Sequence, residues 1–416
     1  MFLDFRNWFA ADAGSVVLYL QFVPSLLKFV HGGALLAGGF IVVLIITALV
    51  GRVYCSTICP LGTLQDIAGY ISRKRKGRRS AGYKAPATVL RYLVLALTVI
   101  LLLAGLNLLL NFLDPFSSFG RMITNILRPV AIVINNSGAT VLEKYGIYAI
   151  PREHWAALSL VSSGIAAATL LIVLGLAVTH GRLYCNTICP VGTLLGLVSR
   201  FSFLRLRVDK NSCTNCRRCA TVCKADCIDL AAQEIDMSRC VGCYNCLSVC
   251  KTSGIGFDMR GRKPKPDKEK VDPERRDFLL NSGVYLLALT GLTDTGTVSE
   301  DVMMIIQSRP TKIPVIRTSP VSPPGSVSVQ HFTDTCTACH LCVSACPPQI
   351  LLPSFLEYGV SGMMQPHMHF QTGHCNYECT ICGDVCPAGA ILPLSVDKKK
   401  QTQSGVATFI KENCVV

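Results

Sequence analysis

Residues 213–250 read CTNCRRCATVCKADCIDLAAQEIDMSRCVGCYNCLSVC, and the spacing of their cysteines decides the fold of this part of the chain. Cys213, Cys216, Cys219 and Cys223 form a C-x2-C-x2-C-x3-C run, and Cys240, Cys243, Cys246 and Cys250 repeat it. Three such closely spaced thiolates wrap one [4Fe-4S] cubane from a single loop, while the fourth reaches the cubane of the partner run. A second pair of runs comes later: Cys336, Cys339, Cys342 and Cys346, then Cys375, Cys379, Cys382 and Cys386, with Pro347 and Pro387 behind the last cysteines. Crossed ligation assigns Cys213, Cys216, Cys219 and Cys250 to one cluster and Cys240, Cys243, Cys246 and Cys223 to its neighbour. The distal sets are Cys336, Cys339, Cys342, Cys386 and Cys375, Cys379, Cys382, Cys346. Structural zinc prefers two short pairs, often with His, and disulfide frameworks belong to small secreted chains. The expectation is four [4Fe-4S] clusters in two tandem modules.

Outside these runs the chain is greasy. Half of its 416 residues are hydrophobic and 16% are charged. Ala34–Val50, Val89–Phe112 and Ala156–Val178 are nearly charge-free and approach bilayer length. Val16–Val30 is weaker, interrupted by Gln21, Pro24 and Lys28. The net charge of +14 lies in runs beside the apolar segments, Ser72–Arg79 and Arg260–Arg276 among them, as the positive-inside rule expects of cytoplasmic flanks. The stretch Leu113–Trp155 holds four basic and three acidic residues and fits an outer loop. Basic and aromatic residues do not alternate as single-strand binders require, so nucleic acid is excluded as a partner.

Gly51–Leu64, GRVYCSTICPLGTL, and Gly181–Leu194, GRLYCNTICPVGTL, agree at eleven of fourteen positions. This internal repeat implies two equivalent helix pairs, which promotes Val16–Val30 to a short, Pro-kinked membrane helix and puts both motifs on one face. Cys55, Cys59, Cys185 and Cys189 then become a candidate further redox or metal site, either a cluster or a thiol/disulfide couple. As small residues they could equally pack a core. Arg52 and Arg182, just ahead of the cysteines, are expected to snorkel or to pair with an acid.

These residues resemble the NapH-like membrane ferredoxins and the related NosR-type proteins. Tyr54–Gly62 and Tyr184–Gly192 match both YCxxxCPxG motifs of that group, and Cys213–Cys250 matches its two-cluster tail. The rest is similar to a NapG- or MauM-like ferredoxin fused behind it. Arg275-Arg276-Asp277-Phe278-Leu279 resembles a twin-arginine export signal, and Ser322-Pro323-Pro324-Gly325-Ser326 resembles the PPGA element of those proteins. The fold implied is an α-helical polytopic membrane domain of two pseudo-repeated helix pairs (residues 1–204), with two small α+β ferredoxin domains of bacterial two-[4Fe-4S] type (205–260 and 310–416). A basic linker with an apolar segment (261–309), a candidate fifth membrane helix, joins them.

The resemblance implies a quinol dehydrogenase or quinone-linked electron conduit in the bacterial inner membrane, serving other subunits of a respiratory complex or a periplasmic acceptor. The first ferredoxin domain would be cytoplasmic and the second periplasmic. Redox sensing, maturation or an accessory role without a quinone site stays open, and so does the status of the chain as an enzyme. His31, His154 and His180 lie at segment ends and are candidates for a quinone site, against solvated interfacial histidines. Ser137-Gly138-Ala139-Thr140 resembles the short site where FMN is esterified in NosR-like proteins, making Thr140 a candidate flavin anchor, although the trailing Ser/Thr is replaced by Val141 and Leu142. Cys227 reads as packing, Cys414 has no assignment, and His367, His369 and His374 read as loop histidines near the fourth run.

Overall fold

The structure, a computed structural model, describes residues 2–3, 16–32, 38–76, 83, 87–153, 159–259, 320–370 and 373–403. The twin-arginine-like segment, His154 and Cys414 lie outside the described residues. The chain divides into a main body, Met1–Arg260 with Ile316–Val416, and the intervening Gly261–Val315. Every described residue belongs to the main body.

Its first half is helical. α1 (Phe22–Gly32) and α2 (Gly39–Val50) lead to the first cysteine motif, after which α3 (Pro60–Lys76) leaves it. α4 (Thr88–Leu103), α5 (Leu108–Leu113), α6 (Pro115–Met122), a wide π-turn at Ile123–Leu127 and α7 (Arg128–Lys144) come next. α8 (Leu160–His180) brings in the second motif, and α9 (Pro190–Ser199) leaves it. The two halves interlock. α3 of the first repeat packs on α8 of the second, while α9 of the second packs on α2 of the first.

Leu160–Thr179 is long and apolar enough to cross a bilayer, and Gly39–Val50, Thr88–Leu103 and Pro190–Ser199 are apolar but shorter. Apolar side chains such as Ile45, Leu93, Ile100 and Leu171 face outward from these helices, an apolar surface of the kind that marks contact with a membrane or partner.

Two expected spans are interrupted. Val89–Phe112 breaks after Leu103, where Gly105 takes φ +76° and the chain restarts at Leu108. Glycine adopts that left-handed backbone without a Cβ penalty. Val16–Val30 breaks at Gln21, so Pro24 sits in the first turn of α1, where its missing N–H costs no helical bond. It is no mid-helix kink. Leu113–Trp155, read as an outer loop, folds into α6, the π-turn and α7 as far as Lys144. Asp114 starts α6 as its N-cap, accepting from Ser117 N at 2.8 Å and Ser117 Oγ at 2.6 Å, with Pro115 in the first turn.

The proximal module is built on β1 (Leu204–Val208) and β4 (Ile255–Met259), paired antiparallel from Leu204↔Met259 to Val208↔Ile255. A second ladder joins β2 (Ile228–Asp229) to β3 (Glu234–Ile235). The distal module carries β5 (Leu351–Pro353) against β6 (Pro366–Met368). The modules lie at opposite ends of α8. Near its start, Ser162 Oγ donates to Asn125 Oδ1 at 3.0 Å, and Asn125 contacts His340 of the distal module at 3.3 Å. Just past its end, Arg182 N donates to Lys224 O of the proximal module at 3.1 Å. A helix of this length runs about 30 Å.

Asp114 is 1% exposed, so Asp114→Ala removes a buried cap and should cost about 1–2 kcal/mol. Asp114→Asn should cost much less. Thermal unfolding of both variants in detergent measures the difference.

Candidate functional site

Each two-cluster module closes its four-cysteine sets around separate cavities, and the sets are crossed. Cys213, Cys216, Cys219 and Cys250 line one space. Cys223, Cys240, Cys243 and Cys246 line a second. In the distal module, Cys336, Cys339, Cys342 and Cys386 line a third, and Cys346, Cys375, Cys379 and Cys382 a fourth. Among the described residues no three His, Cys, Asp or Glu side chains form a site for a single metal ion. The thiols stand around volumes rather than converging on a point, which fits a cubane.

The loop backbone fits it too. Between the cysteines of the first three runs, Asn215, Arg217, Gly242, Tyr244, Ala338 and His340 all adopt left-handed conformations, with φ from +51° to +65°. Alternating left- and right-handed residues turn successive N–H groups inward, the concavity that receives iron–sulfur and phosphate anions. Five of these six residues carry a side chain, so the strain has to be held by the surrounding fold. The fourth run, one residue longer between its first two cysteines, has no left-handed residue from Asn376 to Ile381.

In each module one set is turned toward the helices. Tyr244 Oη donates to Val50 O at 3.0 Å, and a Cβ on Gly242 would stand 3.1 Å from the Val53 side chain, so the Cys240 loop rests on the first motif. On the distal side Arg121 Nη1 donates to Ala338 O at 3.4 Å, and a Cβ on Gly120 would overlap Cys339 O.

Between these two contacts lie Cys55, Cys59, Cys185 and Cys189, all at most 4% exposed. The CPxG part of the motif has a mechanical reading. Cys189 is the N-cap of α9, its Sγ accepting from Gly192 N at 3.3 Å, with Pro190 in the first turn. Pro suits that position and the helix dipole favours a thiolate there. A Cβ on Gly192 would stand 2.1 Å from Cys185 O, and one on Gly62 2.3 Å from Cys55 O, so only glycine lets the two cysteines of each motif close up. The motif tyrosines reach the other way. Tyr54 Oη donates to Gln21 Oε1 at 3.2 Å, and Tyr184 Oη donates to Leu113 O at 3.5 Å, so each holds a helix break.

The two motif arginines cross between repeats. Arg182 reaches the first motif, donating to Cys55 O and pairing through Nε with Asp66 Oδ1 at 2.7 Å. Arg52 reaches the second, donating to Asn186 Oδ1 at 3.0 Å and Cys185 O at 3.4 Å, and it extends to Ser238 O of the proximal module at 2.9 Å. Both are at most 1% exposed, so neither snorkels. Asp66 also takes Lys224 Nζ at 2.6 Å, tying the proximal module to α3. Burial raises the Asp66 carboxyl, but Arg182 and Lys224 outweigh it and hold the group below the usual carboxylate value.

Sequence reasoning missed Asp66, Gln65, whose Nε2 lies 3.3 Å from Cys185 Sγ, and His340. His340 is buried beside Arg121, and burial first, then that charge, pushes its pKa down to about 3. The ring is therefore neutral, with Nε2 2.8 Å from Met364 O and Nδ1 3.3 Å from Asn125 Nδ2. Donation by Nε2 and acceptance by Nδ1 satisfy both contacts.

Other candidates disperse. His31 is exposed, with its ring 6.2 Å from that of His331. His367 and His369 pack edge to face at 6.2 Å, and His374 is exposed. Thr140 lies on helix α7 rather than in a loop, and its hydroxyl donates to Asn136 O at 2.8 Å. Cys227 is 2% exposed with its sulfur 3.7 Å from Cys223 Sγ, a fifth thiol on the wall of the second proximal cavity.

The family described as "4Fe-4S binding domain" matches residues 33–79 and 163–210, the two copies of the CxxxCP motif with their leading segments. The ferredoxin-type protein MauM of methylamine utilization from Methylophilus methylotrophus is 33% identical over 150 residues, 35% of this chain and 61% of the relative. The ferredoxin-type protein NapH of Haemophilus influenzae is 27% identical over 189 residues (45% and 53%), and that of Escherichia coli 25% over 187 (44% and 52%). The chain spans about half to three fifths of the length of these curated relatives. No solved structure matches it.

Asp66→Asn leaves Arg182 buried beside a neutral partner and should cost about 3 kcal/mol, whereas Lys224→Ala should cost less than about 1 kcal/mol. Because its folded-state value is depressed, the Asp66 contribution is complete above about pH 4 and is lost as pH falls through that lower value. Thermal unfolding against pH, wild type beside Asp66→Asn, reads both effects.

Proposed function

We propose, from the premise that this is a NapH-like ferredoxin-type protein, that the chain is a membrane-bound iron–sulfur conduit which takes electrons from quinol and delivers them to a redox partner. The observation that carries this is the crossed closure of sixteen cysteines around four cavities, one of each pair turned toward the helices. Bound [4Fe-4S] clusters would supply one-electron redox chemistry, with potentials set by charge, hydrogen bonding and exposure around the sulfurs.

Quinol oxidation releases two protons and two electrons, which one-electron carriers must accept singly. The chain's own residues do the rest of the work. The cysteine loops supply ligands and inward N–H groups. Tyr244, Gly242, Arg121 and Gly120 press the inner set of each module onto the helical half. The quartet Cys55, Cys59, Cys185 and Cys189 lies between those inner sets, and on this reading it holds a fifth cluster. The order of stations is then the Cys213 set, the Cys240 set, the quartet, the Cys336 set and the Cys375 set.

Modules at opposite ends of α8 support placement on opposite faces of a bacterial inner membrane. On this reading the basic flanks favour the cytoplasm for the proximal module, and the distal module faces the periplasm. Four membrane passes, Val16–Val30 paired with Ala34–Val50 and Val89–Phe112 with Ala156–Val178, remain part of this reading, and Leu160–Thr179 is the one helix among the described residues long and apolar enough to cross a bilayer.

Iron and acid-labile sulfide per purified chain test the count. Four cubanes give about sixteen irons, and a filled quartet gives about twenty. EPR after addition of quinol tests the flow. Prompt reduction of the distal sets is expected, and clusters that quinol leaves oxidised would overturn the conduit in favour of sensing or maturation.

A further inference from the structure

The two repeats are unequal in charge. The alignment that sets Gly51 on Gly181 sets Asp66 on Gly196. Arg182 therefore has its carboxylate and Arg52 does not. No acid could stand at the equivalent place, because a Cβ on Gly196 would lie 2.5 Å from Ser238 O, 2.8 Å from Arg91 Nη2 and 3.3 Å from Arg52 Nη1.

Arg52 is 0% exposed, and among the described residues no carboxylate forms an ion pair with it. Its donors end on neutral groups: Asn186 Oδ1, Ser238 O and Cys185 O. Its Nε is buried with no partner. Arg91, 1% exposed, brings a second guanidinium to the same Ser238 carbonyl at 3.2 Å. A buried cation without an anion is strongly unfavourable, and four neutral thiols would not relieve it. The remaining polar contact of Arg52 is Cys55 Sγ, 3.9 Å from Nη2.

We propose that Arg52 is the buried counter-ion of an anionic iron–sulfur group held by Cys55, Cys59, Cys185 and Cys189, and that it sets the midpoint potential of that group while linking it to the proximal module. The inference rests on the fifth-cluster reading above. Four thiolates around a cubane leave net negative charge in its ordinary states, and one-electron reduction adds another. A fixed guanidinium beside one sulfur favours the reduced form. Its other arm holds Ser238 O, two residues before Cys240, so the same side chain bridges the quartet and the inner proximal set. Arg52 acts through the group it faces and is a positioning residue.

The test is an EPR-monitored titration with dithionite on full-length protein in detergent, comparing wild type, Arg52→Gln and Arg52→Lys. A Cys55→Ser/Cys185→Ser variant identifies the quartet signal by its loss. Arg52→Gln should lower the reduced-to-oxidised ratio of that signal about tenfold at the wild-type midpoint, a shift of about 59 mV for one electron. The outermost Cys375 set should not move, and Arg52→Lys should restore most of the change. A quartet midpoint unmoved in Arg52→Gln with iron intact overturns the counter-ion role alone. Wild-type iron content and spectra in the Cys55→Ser/Cys185→Ser variant overturn the fifth cluster, and the counter-ion with it. Should Arg52→Gln lose its clusters, Arg91→Gln is read instead. The same direction with a smaller size is expected, and no shift refutes the proposal.

Discussion

Two guanidiniums crossing between the repeats hold the centre of this molecule. Arg182 lies over the first motif and Arg52 over the second, so neither repeat can complete its cysteine pair without the other. The interlocking of α3 with α8 and of α9 with α2 is the same exchange at the scale of helices. Buried arginines on backbone carbonyls are unforgiving, because a displaced donor leaves both itself and the carbonyl unsatisfied in a dry interior. The hydrogen bonds from Arg52 and Arg91 to Ser238, with the Lys224–Asp66 pair, carry that order outward to the proximal module.

The distal contact is made differently. α6 begins at the buried Asp114 cap next to the Leu113 carbonyl that Tyr184 holds, and Arg121 at its far end reaches the Cys339 loop. One short helix thus spans from the second motif to the distal module. Neutral His340 beside Arg121 adds no second positive charge at that junction.

The cysteine runs were legible because their geometry is local: the spacing within each loop dictates which sulfurs face one cavity, and even the crossing of the fourth cysteine came with it. The repeat was legible by identity, and its Pro and Gly acquire reasons only with coordinates, in the cap of α9 and the closeness of Gly62 to Cys55 O. The helical half was read less well. Apolar run lengths pointed to continuous spans, but hydropathy is blind to a left-handed residue such as Gly105 or a break held by a distant tyrosine, as at Gln21. Asp114 and Arg121 looked like loop polarity because their partners lie in another helix and another module. The same distance hid Arg52. Arg52 was expected to snorkel or to pair with an acid; among the described residues it does neither, and the position that could have supplied the acid is a glycine.

The exchange of fourth cysteines between sets has a consequence for biogenesis. Before Cys250 is synthesised, the first loop has only three of its sulfurs, and Cys223 waits for a partner loop not yet made. Neither cavity has all four of its cysteines in a truncated or half-threaded module, and a chain damaged at one run loses a wall of the other cavity.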